Sequence, residues 1–185
     1  YNKVYTDGRN LVYSDLINQS IHKITSRETK TLYYKELPKD YEITRKSEIK
    51  FIRATGSEID YIRQKYLSKN IIMGSAIFNY LWFVDGYIIG GCMLDYPKRK
   101  VADGGVAWLK SDFVISSNVP KLSKLLIIAI LSEEFKYEVS IRFKESISTL
   151  VTNVFTKKPV SMKYRGVFKL YTRENNKLIY TGETG

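Results

Sequence analysis

The chain has 185 residues, 44% hydrophobic and 14% aromatic, which is enough for one domain with a real core and a small extension. No run of about 18 uncharged apolar residues is present to span a membrane, and no secretory signal peptide is visible. A net charge of +11 favours a polyanionic partner, most simply nucleic acid, while a single cysteine, Cys92, excludes a disulfide framework within the chain and fits a reducing cytoplasm.

Residues 3–13 read as a hairpin about Asp7-Gly8, and Ser14 as the N-cap of a helix running SDLINQSIHKI. The polar stretch 25–48 carries only weak signals, so residues 1–48 are read as an N-terminal extension and 49–185 as the main domain. Ile49 to Ala54 predicts a strand, followed by a helix capped by Ser57 with Asp60 three residues on. Ile59, Ile62 and Tyr66 share one face of that helix. Leu81 to Val84 and Tyr87 to Asp95 predict a hairpin about Asp85-Gly86. Within it, Gly90-Gly91 marks a bulge or the close approach of another backbone. A basic loop, Lys98-Arg99-Lys100, precedes the strand Val106 to Ile115.

A polar turn, Ser116-Ser117-Asn118, then feeds an apolar helix from about Lys121 to residue 135. The strand 148–155, a short helix at 160–164 stopped by Gly166, and a hairpin across Glu174-Asn175-Asn176 complete the chain. The order from residue 49 is β α β β β α β α β β. It predicts an α/β (α+β) fold, with a central mixed twisted sheet, helices on both faces and a parallel crossover from 106–115 to 148–155.

The strand–turn–helix Val106–Leu131 leaves backbone N–H groups unpaired at the helix start, a place for an anion such as a pyrophosphate. Lys121 and Lys124 sit in that first turn, where cations oppose the helix dipole, so they serve an anion or are simply solvated. Asp112, in the central strand, either orients or deprotonates an amine or pairs with a nearby lysine. Cys92, in an apolar strand, reads as core, and His22 as a surface or packing residue. One histidine and one cysteine, far apart, support no His/Cys metal site and no Cys–His dyad. Two basic clusters are candidates for phosphate contact: Lys98, Arg99 and Lys100, and the stretch with Lys157, Lys158, Lys163 and Arg165. Aromatic residues interleaved with the second cluster, Tyr164, Phe168 and Tyr171, can stack on an unpaired base.

The element order resembles the GNAT acetyltransferase superfamily. The pieces FVDGYIIGGCMLDYP, WLKSDFVISSNVPKLSKLL and VTNVFTKKPVSMKYRGVFKLYTRE, with Lys65-Tyr66 before them, resemble more narrowly the phage Mom proteins, GNAT-like enzymes that modify adenine in DNA against restriction. The resemblance covers roughly residues 60–181, and Lys65 stands where Mom proteins carry a histidine. It implies acetyl-CoA or a related acyl-CoA as donor. Val114, Ile115, Val119, Lys121, Leu122, Ser123, Lys124 and Asn153 would hold that donor, and Tyr164, Asp112 and Tyr66 would do the chemistry. In GNAT enzymes a tyrosine in the place of Tyr164 gives a proton to the leaving thiolate. Acting on adenine in duplex DNA would require flipping the base.

The family's glycine-rich phosphate turn is absent, since residues 116–124 contain no glycine. Two other readings therefore stay open: a GNAT-shaped module that binds or cleaves DNA without acyl-CoA chemistry, and an acetyl-CoA-dependent N-acetyltransferase acting on a small molecule or protein. The DNA reading places the protein in the cytoplasm, the host's if it is phage-encoded.

Overall fold

A computed structural model describes residues 22–25, 31–67, 76–115, 119 and 121–184. The elements are β1 (His22–Thr25), β2 (Thr31–Glu36), β3 (Ile49–Ala54), α1 (Gly56–Tyr66), β4 (Phe78–Val84), β5 (Tyr87–Asp95), β6 (Gly105–Val114), α2 (Leu122–Ile130), α3 (Glu133–Phe143), β7 (Ile147–Phe155), β8 (Lys169–Glu174) and β9 (Lys177–Glu183). The fold is α+β with a mixed sheet, as the element order predicts. The chain divides into two compact units, residues 1–93 with 113–122 and residues 94–112 with 123–185.

In the first unit, β3 and β4 pair antiparallel from Ile49↔Val84 to Ala54↔Asn79. The β4–β5 hairpin turns at Asp85 (φ 47°) and Gly86 (φ 83°), the left-handed pair that a two-residue type I′ turn requires. Asp85 also accepts the Glu48 amide at 2.7 Å and the Tyr41 hydroxyl, so the turn is tied to the start of β3. The second glycine signal has a steric cause. A Cβ on Gly90 would stand 1.9 Å from the carbonyl oxygen of Phe113, so only glycine lets that backbone pass.

Helix α1 starts two residues earlier than the Ser57/Asp60 reading. Thr55 is the N-cap: its hydroxyl accepts the Glu58 amide at 3.2 Å, and the Glu58 carboxylate accepts the Thr55 amide at 2.9 Å. Thr-x-x-Glu closes the reciprocal box because glutamate has the extra methylene needed to reach back, which aspartate lacks. Ile59 and Ile62 are fully buried among Tyr34, Ile52, Leu81, Phe83 and Ile88. Each contributes roughly 2 kcal/mol by leaving water.

Of the helix expected over 14–24, residues 14–21 lie outside the described residues and 22–24 are not helical. Residues 22–25 form β1, antiparallel to β2, where the β-branched Ile24-Thr25 and Thr31 suit a strand. β2 itself, inside the weakly assigned stretch, runs parallel to β5 through Lys35↔Tyr87 and Glu36↔Ile88. The hairpin expected at 3–13 and the turn at 116–118 lie outside the described residues.

In the second unit, β6 and β7 are parallel, as the crossover predicts, and pair from Gly105↔Ile147 to Trp108↔Val151. β7 then pairs antiparallel with β9 through to Phe155↔Lys177, and β9 with β8. The single helix expected to residue 135 is two. Ser132 is extended (φ −67°, ψ 156°), its hydroxyl accepts the Phe135 amide at 3.3 Å, and Glu133 and Glu134 fill the first turn of α3. A cap followed by two acids starts a new helix more strongly than Leu131 continues the old one. The short helix expected at 160–164 is a turn with one helical bond, Arg165 N–H to Ser161 O at 3.0 Å. Gly166 (φ 82°) then reverses the chain, and one turn gives too few bonds to offset helix nucleation.

Candidate active site in the second unit

β6 and β7 stop pairing with each other after Trp108 and Val151, while both strands run on. Asp112 stands on the continuing part of β6 and Thr152 is the first residue of β7 past the last pair. The 161–168 turn brings Tyr164 to them. Its hydroxyl donates to Asp112 Oδ1, and the Thr152 side chain acts on it from β7. Tyr164, Asp112 and Thr152 are all buried. Burial first, then the adjacent Asp112 carboxylate, pushes the Tyr164 phenol far above its ordinary value. It is therefore a protonated donor at neutral pH, with its proton already aimed at a carboxylate.

Lys163 completes the group. Its ammonium donates to the Asp112 carbonyl at 2.9 Å and lies 2.5 Å from Oδ2, an ion pair without the alignment of a hydrogen bond. It therefore neutralises the one buried carboxylate here and is not free for DNA. Asp112 thus meets both partners its position allows, the tyrosine and a lysine.

Three contacts hold the turn itself. The Ser161 amide donates to the Tyr180 hydroxyl at 2.8 Å. The Tyr164 ring packs on Phe168 and Tyr180, with centroids 5.3 and 5.6 Å away. Lys124, from the first turn of α2, donates to the carbonyls of Met162 (3.1 Å), Lys163 (3.2 Å) and Arg165. Lys124 is thus spent on the tyrosine turn, which explains a cation at a helix start. Lys121 is different: it is exposed and takes the left-handed conformation (φ 61°) immediately before α2.

The other donor-site candidates fall as follows. Val114 ends β6 half-buried, and the Ile115 amide donates to the Ile89 carbonyl at 2.9 Å. Val119 and Leu122 are buried, Ser123 is half-buried, and Asn153 sits half-buried on β7 opposite Ile179. Two features, each within its own unit, suit parts of an acyl-CoA. Lys121, exposed and left-handed at the start of α2, offers its charge to an anion, while the Leu122 amide that follows it already donates to the Val119 carbonyl at 3.4 Å. Past Trp108 and Val151, the facing edges of two strands no longer satisfy one another and can bond an extended amide-bearing chain.

Tyr66 belongs to a separate group in the first unit. Its hydroxyl donates to Glu36 and stands 3.4 Å from the Tyr34 hydroxyl, which accepts from Lys65 at 3.2 Å. Burial and the Glu36 carboxylate push the Tyr66 phenol far up as well. The basic candidates stay on the surface of the second unit. Arg99 pairs with Glu174 at 2.7 Å and Lys177 with the same carboxylate at 2.9 Å, joining two clusters that are far apart in sequence. Lys177 and Arg99 hold the Glu174 carboxyl below its usual range. Lys98 lies over the Trp108 ring (5.1 Å), Lys100 pairs with Asp103 (3.5 Å), and Lys157, Lys158 and Arg165 are exposed. A cavity of about 350 Å³ is lined by Lys98, Arg99 and Lys100 together with Glu145. Cys92 is buried and accepts from the Trp82 indole at 3.3 Å.

Parallel strands that part beside a buried tyrosine, the first of them followed by a helix, are the layout of a GNAT-like acyltransferase fold. Residues 46–185 match the family described as the Phage GNAT-like domain, and the chain belongs to that family. No curated protein matches it by sequence. Among solved structures, the N-acetyltransferase PseH of Campylobacter jejuni is 16% identical with a TM-score of 0.46, covering 74% of this chain and 99% of that one. The ribosomal-protein-S18-alanine N-acetyltransferase of Escherichia coli is 14% identical with a TM-score of 0.48, covering 75% and 95%. No helix among the described residues is long and apolar enough to cross a membrane.

Proposed function

We propose that the chain is an acyl-CoA-dependent transferase whose acceptor is an amino group of DNA, the adenine amino group in the manner of the Mom proteins. The observation that carries the acyl-transfer half is the Tyr164–Asp112–Thr152 group at the point where β6 and β7 part. A bound acyl-CoA supplies an acyl thioester and, on its cleavage, a thiolate that must take up a proton. The exposed Lys121 ammonium at the start of α2 would meet its pyrophosphate, and the parted strand edges its amide arm. The acceptor nitrogen forms the acyl bond as the C–S bond breaks; Tyr164 gives its proton to the departing thiolate and takes up the one the amine loses. The Thr152 hydroxyl supports the phenol oxygen once that proton is given up, and Lys163 keeps Asp112 from becoming an uncompensated charge.

The acceptor half rests on the net charge of +11 and on exposed Lys157, Lys158 and Arg165 in the same turn region as Tyr164. In this reading the protein works where DNA is, in the cytoplasm of the host cell. A second reading, a DNA-binding module without acyl transfer, is favoured by the glycine-free turn and by the engagement of Lys124 with carbonyls.

Mass spectrometry of nucleosides from cells expressing the protein, with calorimetric titration of acetyl-CoA, separates the two. An added acyl mass on deoxyadenosine, absent with Tyr164→Phe, is the expected result. DNA binding with neither a mass shift nor acetyl-CoA affinity is the outcome of the second reading. Tight acetyl-CoA binding without DNA affinity would assign the acceptor to a small molecule or a protein.

A further inference from the structure

We propose that Arg63 forms a phosphate-binding site, independent of the acyl-transfer reading and of the residues assigned to it. Arg63 lies on α1 in the first unit and is only 6% exposed. Its Nη1 donates to the thioether of Met93 at 3.3 Å, and its guanidinium carbon stands 5.6 Å from the centroid of the Phe113 ring. Sulfur is a weak acceptor and a ring face carries no net charge. Its Nε is buried with no acceptor at all. Asp60, exposed on the same helix, acts on it only through space.

The platform under Arg63 is built into the strands. A Cβ on Gly91 would stand 2.9 Å from the tip of the Phe113 ring, and one on Gly90 would collide with the Phe113 carbonyl. Two adjacent glycines thus let Phe113 lie where it supports the guanidinium. A buried arginine is ordinarily matched by a carboxylate, because an unpaired charge in the interior is strongly unfavourable. Here aromatic and thioether contacts fix the group, and among the described residues no carboxylate bonds it.

The guanidinium edge formed by Nε and Nη2 is the part without a partner. Among the described residues Nη2 has no hydrogen-bond partner, and unlike Nε it is not shut off from water. An oxyanion meeting Nη2 there takes the orphaned Nε–H with its second oxygen, the side-on geometry that arginine offers to phosphate. The strong positive balance of the chain favours phosphate, free or in a nucleic-acid backbone, over other anions.

The test uses inorganic phosphate alone, against sodium chloride of matched ionic strength. Phosphate at roughly a hundredfold over its dissociation constant is expected to raise the melting temperature of the full chain by about 5 °C or more. Arg63→Met should lose that increment while folding normally in chloride, because the methionine replaces an uncompensated buried charge. In the wild-type protein, the Arg63 Nε–H resonance should become protected from exchange as phosphate is added, a reading that needs no variant. If Arg63→Met also weakens binding of a short DNA duplex, the phosphate is that of the nucleic-acid backbone. If only the inorganic-phosphate response is lost, the ligand is a free or small-molecule phosphate. An equal phosphate response in wild type and Arg63→Met, or no change at the Nε–H resonance, overturns the proposal.

Discussion

Tyr164 does two things at once: it fills a buried position between Phe168 and Tyr180, and it donates a hydrogen bond to Asp112. Both raise its pKa, burial most. Because the folded value lies above the unfolded one, near 10, the native state holds a proton that the unfolded chain loses as pH rises. The stability tied to this phenol is therefore complete below pH ~10 and declines above it. Denaturant titrations from pH 8 to about 11.5 should show wild type losing stability more steeply above pH ~10 than Tyr164→Phe, with no difference in slope below. Comparing the two proteins removes the common effect of Tyr34 and Tyr66, whose phenols are also raised, and of Tyr41, pushed up to about 12. Parallel slopes would mean that neither the burial of the phenol nor its Asp112 contact persists in solution.

Two glycines make opposite predictions for the elements they belong to. Gly90 has no room for a methyl group, so Gly90→Ala should cost about 1–3 kcal/mol as neighbouring backbone is forced apart. Gly56 opens α1 with nothing within 4 Å of the place a Cβ would take, so Gly56→Ala should stabilise by up to about 1 kcal/mol. Chemical denaturation of both variants checks the pair. Alternation and turn chemistry made most of the strands legible: Asp85-Gly86 allows little but a tight hairpin, and Ile49–Ala54 reads the same in sequence and structure.

What escaped the sequence has physical causes too. Whether Leu131 continues a helix or Ser132 starts another turns on one cap, and both fit an apolar-then-polar pattern. β2 is a strand because β5 offers it an edge, which no local propensity records. Within the site, Tyr164 and Asp112 were visible as residue types at suggestive places. Their pairing with each other, with Thr152 and with Lys163 is long-range, and nothing local marks Lys163 as belonging to a carboxylate rather than to solvent.

For the molecule as a whole, the charge of +11 becomes a measurable slope. Each phosphate neutralised contributes about −0.9 to the dependence of log affinity on log salt for duplex DNA. Replacing the exposed Lys157, Lys158 and Arg165 together by glutamine should lower that slope by about 2–3, with the fold unchanged. An unaltered slope would move the contact elsewhere on the surface, to the loop with Lys98, Arg99 and Lys100 first of all.

The most direct test follows free thiol release from acetyl-CoA in the presence of duplex DNA, for wild type and Tyr164→Phe. Acyl transfer with Tyr164 as proton donor predicts thiol release that depends on DNA and falls by about a hundredfold or more in the variant, with acetyl-CoA affinity unchanged. Equal rates in the two proteins, or thiol release indifferent to DNA, would contradict it.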